Sequence, residues 1–203
     1  MARFVITGTG TDIGKTVFAA GLCGLIGADY WKPLQSGLAD GLDADRVATL
    51  SGARTHPEAL RLTEPLSPHR AAELDGVTID PAALTPPDAP DLVIEGAGGV
   101  LVPVTRQVLF ADLFARWQIP VIVVATTGLG TISHSLTALE SLRARGVPVH
   151  GVAFVGDENA DNMRTIGEMG DVRVLGRLPI VTPLDRATLT AAMAANFNAG
   201  DFA

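Results

Sequence analysis

Residues 4–25 of this 203-residue chain read FVITGTGTDIGKTVFAAGLCGL, and they carry its clearest structural signal. An apolar run typical of a buried strand leads into GTGTDIGKT, residues 8–16, which opens an apolar stretch with helical spacing. This order predicts a phosphate-binding loop, because the backbone N–H groups of such a loop converge with a helix N-terminus on phosphate oxygens. Lys15 would neutralise the β and γ phosphates of a nucleoside triphosphate, and the Thr16 hydroxyl would bind Mg²⁺.

The glycine spacing of this loop departs from the strict pattern. That pattern places a glycine five residues before Gly14, where this chain has Thr9. Gly8 lies one residue further back, which gives a loop with one extra residue. A glycine turn that only caps a helix is the alternative interpretation, but strand, GKT and helix together favour the phosphate-binding one.

A second motif, DLVIEGAGG at residues 91–99, places an acidic residue at the tip of another buried strand. Glycines follow Glu95 directly, so its carboxylate is predicted to lie beside the phosphates. Hard cations prefer oxygen ligands, which makes Glu95 the natural second ligand for Mg²⁺. A structural carboxylate that caps a turn is the alternative interpretation.

Short runs rich in Val, Ile and Leu alternate along the chain with stretches of helical spacing. The runs are almost continuously apolar, as in strands covered on both faces. The predicted strands are residues 3–7, 91–95, 120–125, 149–155 and 172–175, with 30–33 as a further short strand. The predicted helices are residues 15–26, 43–50, 109–117, 132–145, 160–169 and 184–196.

The βαβα order predicts a single α/β domain over residues 1–203, with a mostly parallel sheet flanked by helices on both faces, as in P-loop NTPases. Residues 52–90 carry most of the prolines and little periodicity. We interpret this segment as excursions above the sheet, not as a linker between domains.

Charge and composition narrow the partners that we expect. A net charge of −7 and a pI of about 5.0 predict a surface that repels nucleic acid and anionic membranes. The single cysteine, Cys23, cannot form an internal disulfide and is predicted to pack as a small apolar residue in a reducing compartment. The N-terminus runs straight into a strand, and no apolar run reaches the length of a membrane span. We therefore expect a cytoplasmic protein.

Six motifs follow one another in an order that resembles a known family. They are TGTGTDIGKT (7–16), WKPLQSG (31–37), LDADRVATL (42–50), PLSPHRAA (65–72), VIEGAGG (93–99) and GLGTISHSL (128–136). No single motif is specific, but the ordered set extends over most of the chain. It resembles the dethiobiotin synthetases of biotin biosynthesis.

The resemblance implies an ATP-dependent carbon–nitrogen ligase that uses 7,8-diaminopelargonate, CO₂ and MgATP. One amine captures CO₂ as a carbamate, and a carbamate oxygen then attacks the γ-phosphate. The second amine displaces phosphate from the resulting carbamic–phosphoric anhydride, which closes the cyclic urea and leaves ADP and phosphate. Such a protein mainly aligns the reacting groups and stabilises charge.

Matching the motif positions implies a role for each residue. Lys15 and Lys32 would be the catalytic cations, flanking the transferred phosphoryl group and the carbamate. The implied nucleotide-binding residues are Asp12, Ile13, Gly14, Lys15, Thr16, Val17, Asp45, Glu95, Gly96, Ala97, Gly98, Leu178, Pro179 and Ile180. The implied substrate-binding residues are Thr11, Ser36, Gly130, Thr131, Ile132 and Ser133. Mg²⁺ would be held by Thr16, Asp45 and Glu95, and Asp43 takes the place of Asp45 if the match slips.

Each of these assignments has a plainer alternative. By composition alone Lys32 would be a surface lysine, and Ser36 before a glycine could be turn chemistry. The aspartates at 43 and 45 could be helix N-terminal charges favoured by the macrodipole.

In the family, the segment 128–136 reaches across a dimer interface to receive the substrate carboxylate, so the resemblance also implies a homodimer.

Two positions depart from the family pattern. Gly10 stands where many members carry an aspartate. After the strand 149–155 the chain reads GDEN (156–159), where a familiar version places the Asn-Asp pair whose asparagine reads adenine. We expect only modest discrimination between nucleotide bases, which comparable kcat/KM values for ATP and CTP would show.

Three other classes of protein are alternatives to the ATP-dependent ligase. A switch ATPase of the partitioning and cell-division type carries a signature lysine five residues before the catalytic lysine, where this chain has Gly10. An amidotransferase-linked ligase needs a further glutaminase domain, for which 203 residues leave no space. A non-catalytic nucleotide-binding module would not need both lysines and three groups suited to Mg²⁺.

Overall fold

A seven-stranded parallel sheet runs through the protein, whose computed structural model describes residues 1–203. The strands are β1 (Arg3–Gly8), β2 (Asp29–Trp31), β3 (Leu34–Ser36), β4 (Thr55–His56), β5 (Leu60–Leu62), β6 (Leu92–Gly99), β7 (Val121–Thr126), β8 (Val149–Val155) and β9 (Val174–Leu178). The helices are α1 (Lys15–Ile26), α2 (Asp43–Ser51), α3 (Pro68–Asp75), α4 (Phe110–Trp117), α5 (Thr131–Arg143), α6 (Ala160–Met169) and α7 (Arg186–Asn196). Short 3₁₀ turns lie at Pro81–Ala83 and Ala199–Phe202.

The sheet has the strand order β4-β2-β6-β1-β7-β8-β9, and every neighbouring pair is parallel. Because parallel strands all end at one edge, the loops after β1, β2 and β6 meet at that edge. The α/β fold predicted from the alternating pattern is confirmed.

Helices cover both faces of this sheet. One face packs against α1, α2 and α7 through residues such as Phe18, Leu22 and Met193. The other packs against α4, α5 and α6 through residues such as Phe114 and Leu139. This double coverage explains why the strands read as continuous apolar runs. Cys23 is buried in the first of these cores, as its sequence context predicts.

A proline separates β2 from β3. Pro33 has no N–H to donate to a ladder, so the chain leaves the main sheet after β2. β3 then pairs in parallel with β5 in a separate two-stranded sheet, in which Ser36 lies opposite Leu62. The turn at the proline leaves Lys32 at the carboxyl edge of the main sheet, where it is almost fully buried.

The structure departs from the predicted elements at several ends: β2 ends at Trp31 instead of 33, β6 runs on to Gly99, and α7 begins at Arg186 instead of 184. The last strand begins at residue 174 instead of 172, because the Val172 N–H still donates to Gly167 O in the turn after α6. Residues 52–90 hold more regular structure than predicted, namely β4, β5 and α3. Strands of two or three residues are too short to show a period in the sequence.

The longest helix, α5, has 13 residues, and none of the helices combines the length and apolar character that crossing a membrane requires.

Candidate active site

The loop between β1 and α1 presents a row of unsatisfied donors. The backbone N–H groups of residues 10–17 donate no hydrogen bond within the protein. Left-handed φ angles of 55° at Asp12 and 92° at Gly14 turn the chain here. A Cβ atom at Gly14 would lie 2.8 Å from Val155 Cγ1, so only glycine fits. Consecutive free N–H groups at the start of a helix form an anion-binding site.

Lys15 folds back over this loop. Its Nζ donates to Gly10 O at 2.8 Å, and the side chain is largely buried. Burial lowers the pKa of the Lys15 ammonium, Lys32 lowers it further, and Glu95 acts in the opposite direction. Lys15 therefore lies against the loop of unpaired N–H groups, and its role in binding phosphate stays a prediction.

Glu95 lies at the centre of the site with only 1% of its side chain exposed. Its Oε1 accepts a hydrogen bond from Thr16 Oγ1 at 2.8 Å, and its Oε2 accepts one from Tyr30 OH at 2.8 Å. Lys32 Nζ lies 3.6 Å from Oε1. The carboxylate is thus held by groups from two separate parts of the chain, the start of α1 and residues 30–32.

Lys32 forms the second part of this network. Its ammonium makes an ion pair with Asp43 Oδ2 in addition to the one with Glu95. Burial acts to lower the pKa of Lys32, but the two carboxylates outweigh it, and the net pKa is raised. Asp43 Oδ1 also lies 3.4 Å from Thr16 Oγ1. Lys32 stays charged, and the surface position that composition alone would suggest for it is wrong.

The structure corrects the choice between the two aspartates. Asp45 is exposed on α2, and its side chain makes no hydrogen bond or ion pair. Asp43 is the first residue of α2 and faces Thr16 and Lys32. At 3.6 residues per turn, two residues correspond to about 200° of rotation, so both side chains cannot face the same site. Asp45 is replaced by Asp43 in the predicted set of metal ligands.

These oxygens suit a hard cation. Thr16 supplies one hydroxyl, and the carboxylates of Asp43 and Glu95 both lie within hydrogen-bond reach of it. No group of three or more His, Cys, Asp or Glu side chains is arranged to hold a metal by itself. Mg²⁺ is usually bound by one or two carboxylates together with substrate phosphates and water, so this donor set fits Mg²⁺ bound to a nucleotide.

A cavity of about 720 Å³ opens over the loop. Most of the residues predicted for phosphate, metal and substrate line it, including Thr11 and Ser36. The Ser36 hydroxyl is buried without a hydrogen-bond partner in the protein. Gln35, Arg46, Ser67 and Pro68 also line the cavity, although the motifs implied no role for them.

Two of these four residues had a weak signal in the sequence. Gln35 and Ser67 lie inside the quoted motifs WKPLQSG and PLSPHRAA, which alone could have indicated them. Gln35 accepts from the Asp43 N–H at 3.3 Å and donates to Gly37 O at 3.2 Å, which joins the loop after β3 to the start of α2.

The predicted substrate residues of α5 lie elsewhere. Gly130, Ile132 and Ser133 line a second cavity of about 550 Å³, which shares no lining residue with the first. Thr131 is buried, and its hydroxyl donates to Thr126 O at 2.6 Å. A single chain therefore does not bring these residues to the phosphate loop.

The residues predicted to line the nucleotide base differ in exposure. The Leu178 side chain is buried and its carbonyl accepts the Gly156 N–H, whereas Ile180 is exposed. The amides of Asn159 and Asn162 both donate to Thr127 O, at 3.2 and 2.9 Å. The base-binding role of residues 178–180 stays a prediction.

A parallel sheet, a loop of free N–H groups at the end of its central strand, an adjacent lysine and a buried carboxylate together define a P-loop nucleotide-binding protein. A family model described as an AAA domain matches residues 2–188. The chain is 58% identical to the ATP-dependent dethiobiotin synthetase BioD of Novosphingobium aromaticivorans and 56% identical to that of Sphingopyxis alaskensis, with all of each chain covered. The chain belongs to this family of ATP-dependent ligases.

Solved structures share the fold at low sequence identity. The MinD cell-division ATPase of Pyrococcus furiosus matches with a TM-score of 0.57 at 12% identity, over 88% of this chain and 84% of that one. A ParA family ATPase from Chlorobium tepidum matches with a TM-score of 0.51 at 12% identity, over 96% and 92%. At such identity the likeness shows the fold alone.

The two aspartates of α2 allow a matched test of the metal site. We expect Asp43→Asn to weaken Mg²⁺-dependent binding of ADP by about 10-fold or more, because an anionic oxygen beside Thr16 is lost. Asp45→Asn makes the same chemical change at an exposed position of the same helix and should change binding less than about 2-fold. Titration calorimetry of ADP with and without Mg²⁺ measures both. A loss confined to the Asp45 variant would restore the original assignment.

Proposed function

We propose that this protein is a dethiobiotin synthase, which uses ATP to close a cyclic urea from 7,8-diaminopelargonate and CO₂. The observation that carries the proposal is the single cavity in which the free N–H groups of residues 10–17 meet two buried lysines and Glu95. Relatives of 56–58% identity that carry the name dethiobiotin synthetase support the choice of substrates.

The proposed nucleotide site uses groups that the fold already holds in place. The polyphosphate would accept hydrogen bonds from residues 10–17, and the ammonium group of Lys15 would move from Gly10 O to a phosphate oxygen. Thr16 can donate its proton to Glu95 and still offer a lone pair to a cation, so the existing hydrogen bond need not break. Mg²⁺ bound here would neutralise phosphate charge as the phosphoryl group is transferred.

The proposed carbamate site lies in the same cavity, beside the proposed metal site. Lys32 carries a charge that Asp43 and Glu95 maintain, which suits it to stabilise a carbamate and the oxygens of the transferring phosphoryl group. The unpaired hydroxyl of Ser36 would supply a hydrogen bond to the carbamate or to the diamine, and Thr11 faces the same space. An unsatisfied buried hydroxyl is unfavourable in the free protein, so a ligand that pairs with it gains affinity.

Phosphate release tests the substrate assignment. We expect phosphate to form from MgATP and bicarbonate only when the diamine is present, because the carbamate oxygen is the proposed nucleophile. The measurement compares phosphate formed with and without 7,8-diaminopelargonate, with 1,8-diaminooctane as a control amine that lacks adjacent nitrogens. Phosphate formed at the same rate without the diamine would refute the ligase and favour a switch-type ATPase.

Lys32→Gln tests the role of the second lysine. The change keeps a side chain that can donate hydrogen bonds but removes the charge that would meet the carbamate and the transferring phosphoryl group. We expect kcat to fall by about 100-fold or more, with a much smaller effect on the dissociation constant of ATP. Steady-state kinetics and nucleotide titration separate the two. An unchanged kcat would remove Lys32 from the mechanism.

We also propose a homodimer in which α5 of one copy completes the substrate site of the other. The N–H groups of Ile132 and Ser133 are unpaired at the first turn of α5, a favourable end for a carboxylate. Leu129, just ahead of this turn, is fully exposed, which suits a residue that packs against a second chain.

The mass of the protein in solution tests this arrangement. The chain has a mass of 21.1 kDa, so light scattering should give about twice that value. Leu129→Glu should lower the mass to that of one chain and reduce diamine-dependent activity. Met169→Glu, at another exposed apolar residue, is the control and should leave the mass unchanged. A fully active monomer would contradict the proposal.

A further inference from the structure

Tyr30 is the only tyrosine of the chain, and it lies fully buried beneath the site. It belongs to β2, where it pairs with Val93 of β6. Side chains two residues apart in a strand point to the same face, so Glu95 lies diagonally across from Tyr30 on the face that packs against α1. This register explains how the phenol OH reaches Glu95 Oε2 at 2.8 Å.

The hydrogen bond fixes the orientation of the carboxylate. Oε2 accepts the hydrogen bond of Tyr30, so Oε1 is the oxygen that faces Thr16 and the Lys32 ammonium. The phenol OH of Tyr30 is the donor of this hydrogen bond, and the carboxylate oxygen is its acceptor. Without this donor, Oε2 would be a buried charged oxygen with no partner, and rotation of the carboxylate would be the only relief.

We propose that Tyr30 is a positioning residue: its hydroxyl holds Glu95 with Oε1 turned to Thr16 and thereby sets the affinity of the site for a divalent cation. This inference rests on the nucleotide and metal site of the proposed function. Tyr30 does not line the cavity and would touch neither nucleotide nor substrate. Any effect of Tyr30 on the bound cation would be transmitted through the carboxylate of Glu95.

Tyr30→Phe removes the hydroxyl and keeps the ring. We expect the affinity for Mn²⁺ in the presence of ADP, measured by electron paramagnetic resonance, to fall by about 10-fold to 100-fold, as when an outer-shell partner of a metal ligand is lost. The affinity for ADP without metal should stay within about 2-fold, because the free N–H groups of the loop are untouched.

Ser51→Ala is the matched control. It also removes a buried hydroxyl, one whose hydrogen bond to Val47 O lies within α2 and which makes no contact with Glu95. Both variants should lose some thermal stability, but only Tyr30→Phe should lose metal affinity. Equal Mn²⁺ affinity in Tyr30→Phe and the unaltered protein would overturn the inference and leave the proposed function intact. No nucleotide-dependent Mn²⁺ binding by the unaltered protein would overturn both.

A second measurement needs no variant. Because Tyr30 is the only tyrosine, protein grown with ¹³Cζ-labelled tyrosine gives a single ring resonance that reports on this hydroxyl. We expect that resonance to shift when Mg²⁺ is added to the complex with ADP, since a cation at Oε1 draws charge from the carboxylate that Tyr30 contacts. A resonance that ADP with Mg²⁺ and ADP alone affect identically would overturn the inference.

Discussion

A carboxylate that is almost completely removed from water determines how this site is built. Burying the charge of Glu95 is costly unless each oxygen is paired and a cation lies nearby. Tyr30, Thr16 and Lys32 meet these needs. They can do so only because β6 lies between β2 and β1 in the sheet, which brings the ends of three strands to one place.

The same arrangement explains which features were predictable from the sequence. The phosphate loop is local: a strand, a glycine turn and a helix follow each other in the chain, so a short motif indicates it even though the glycine spacing departs from the strict pattern. Glu95 was also predictable, since its strand is a continuous apolar run that ends in glycines. The choice between Asp43 and Asp45 depends on which side of α2 faces Thr16, and a helix of nine residues with two acidic residues in its first turn does not encode this in its own pattern.

The partnership of Tyr30 with Glu95 could not be predicted for a related reason. It joins residues 65 positions apart through the register of two parallel strands, and strand order is a tertiary property.

The segment 52–90 shows a case in which the strands themselves could not be predicted. Its strands are so short that they become regular only by pairing, β4 with β2 and β5 with β3. Such strands leave no periodic pattern in the sequence, because pairing with the partner strand is what makes their backbone regular.

Lys15 also shows what the protein does before any ligand arrives. Its ammonium is bound to a carbonyl of its own loop, so a nucleotide enters by exchange: this one charge-assisted hydrogen bond is given up, and others to phosphate oxygens form. A weakly charged anion gains little from such an exchange, whereas a polyphosphate offers several oxygens at once. An incoming nucleotide therefore has to displace this internal hydrogen bond, and the several oxygens of a polyphosphate offset its loss better than a small anion does.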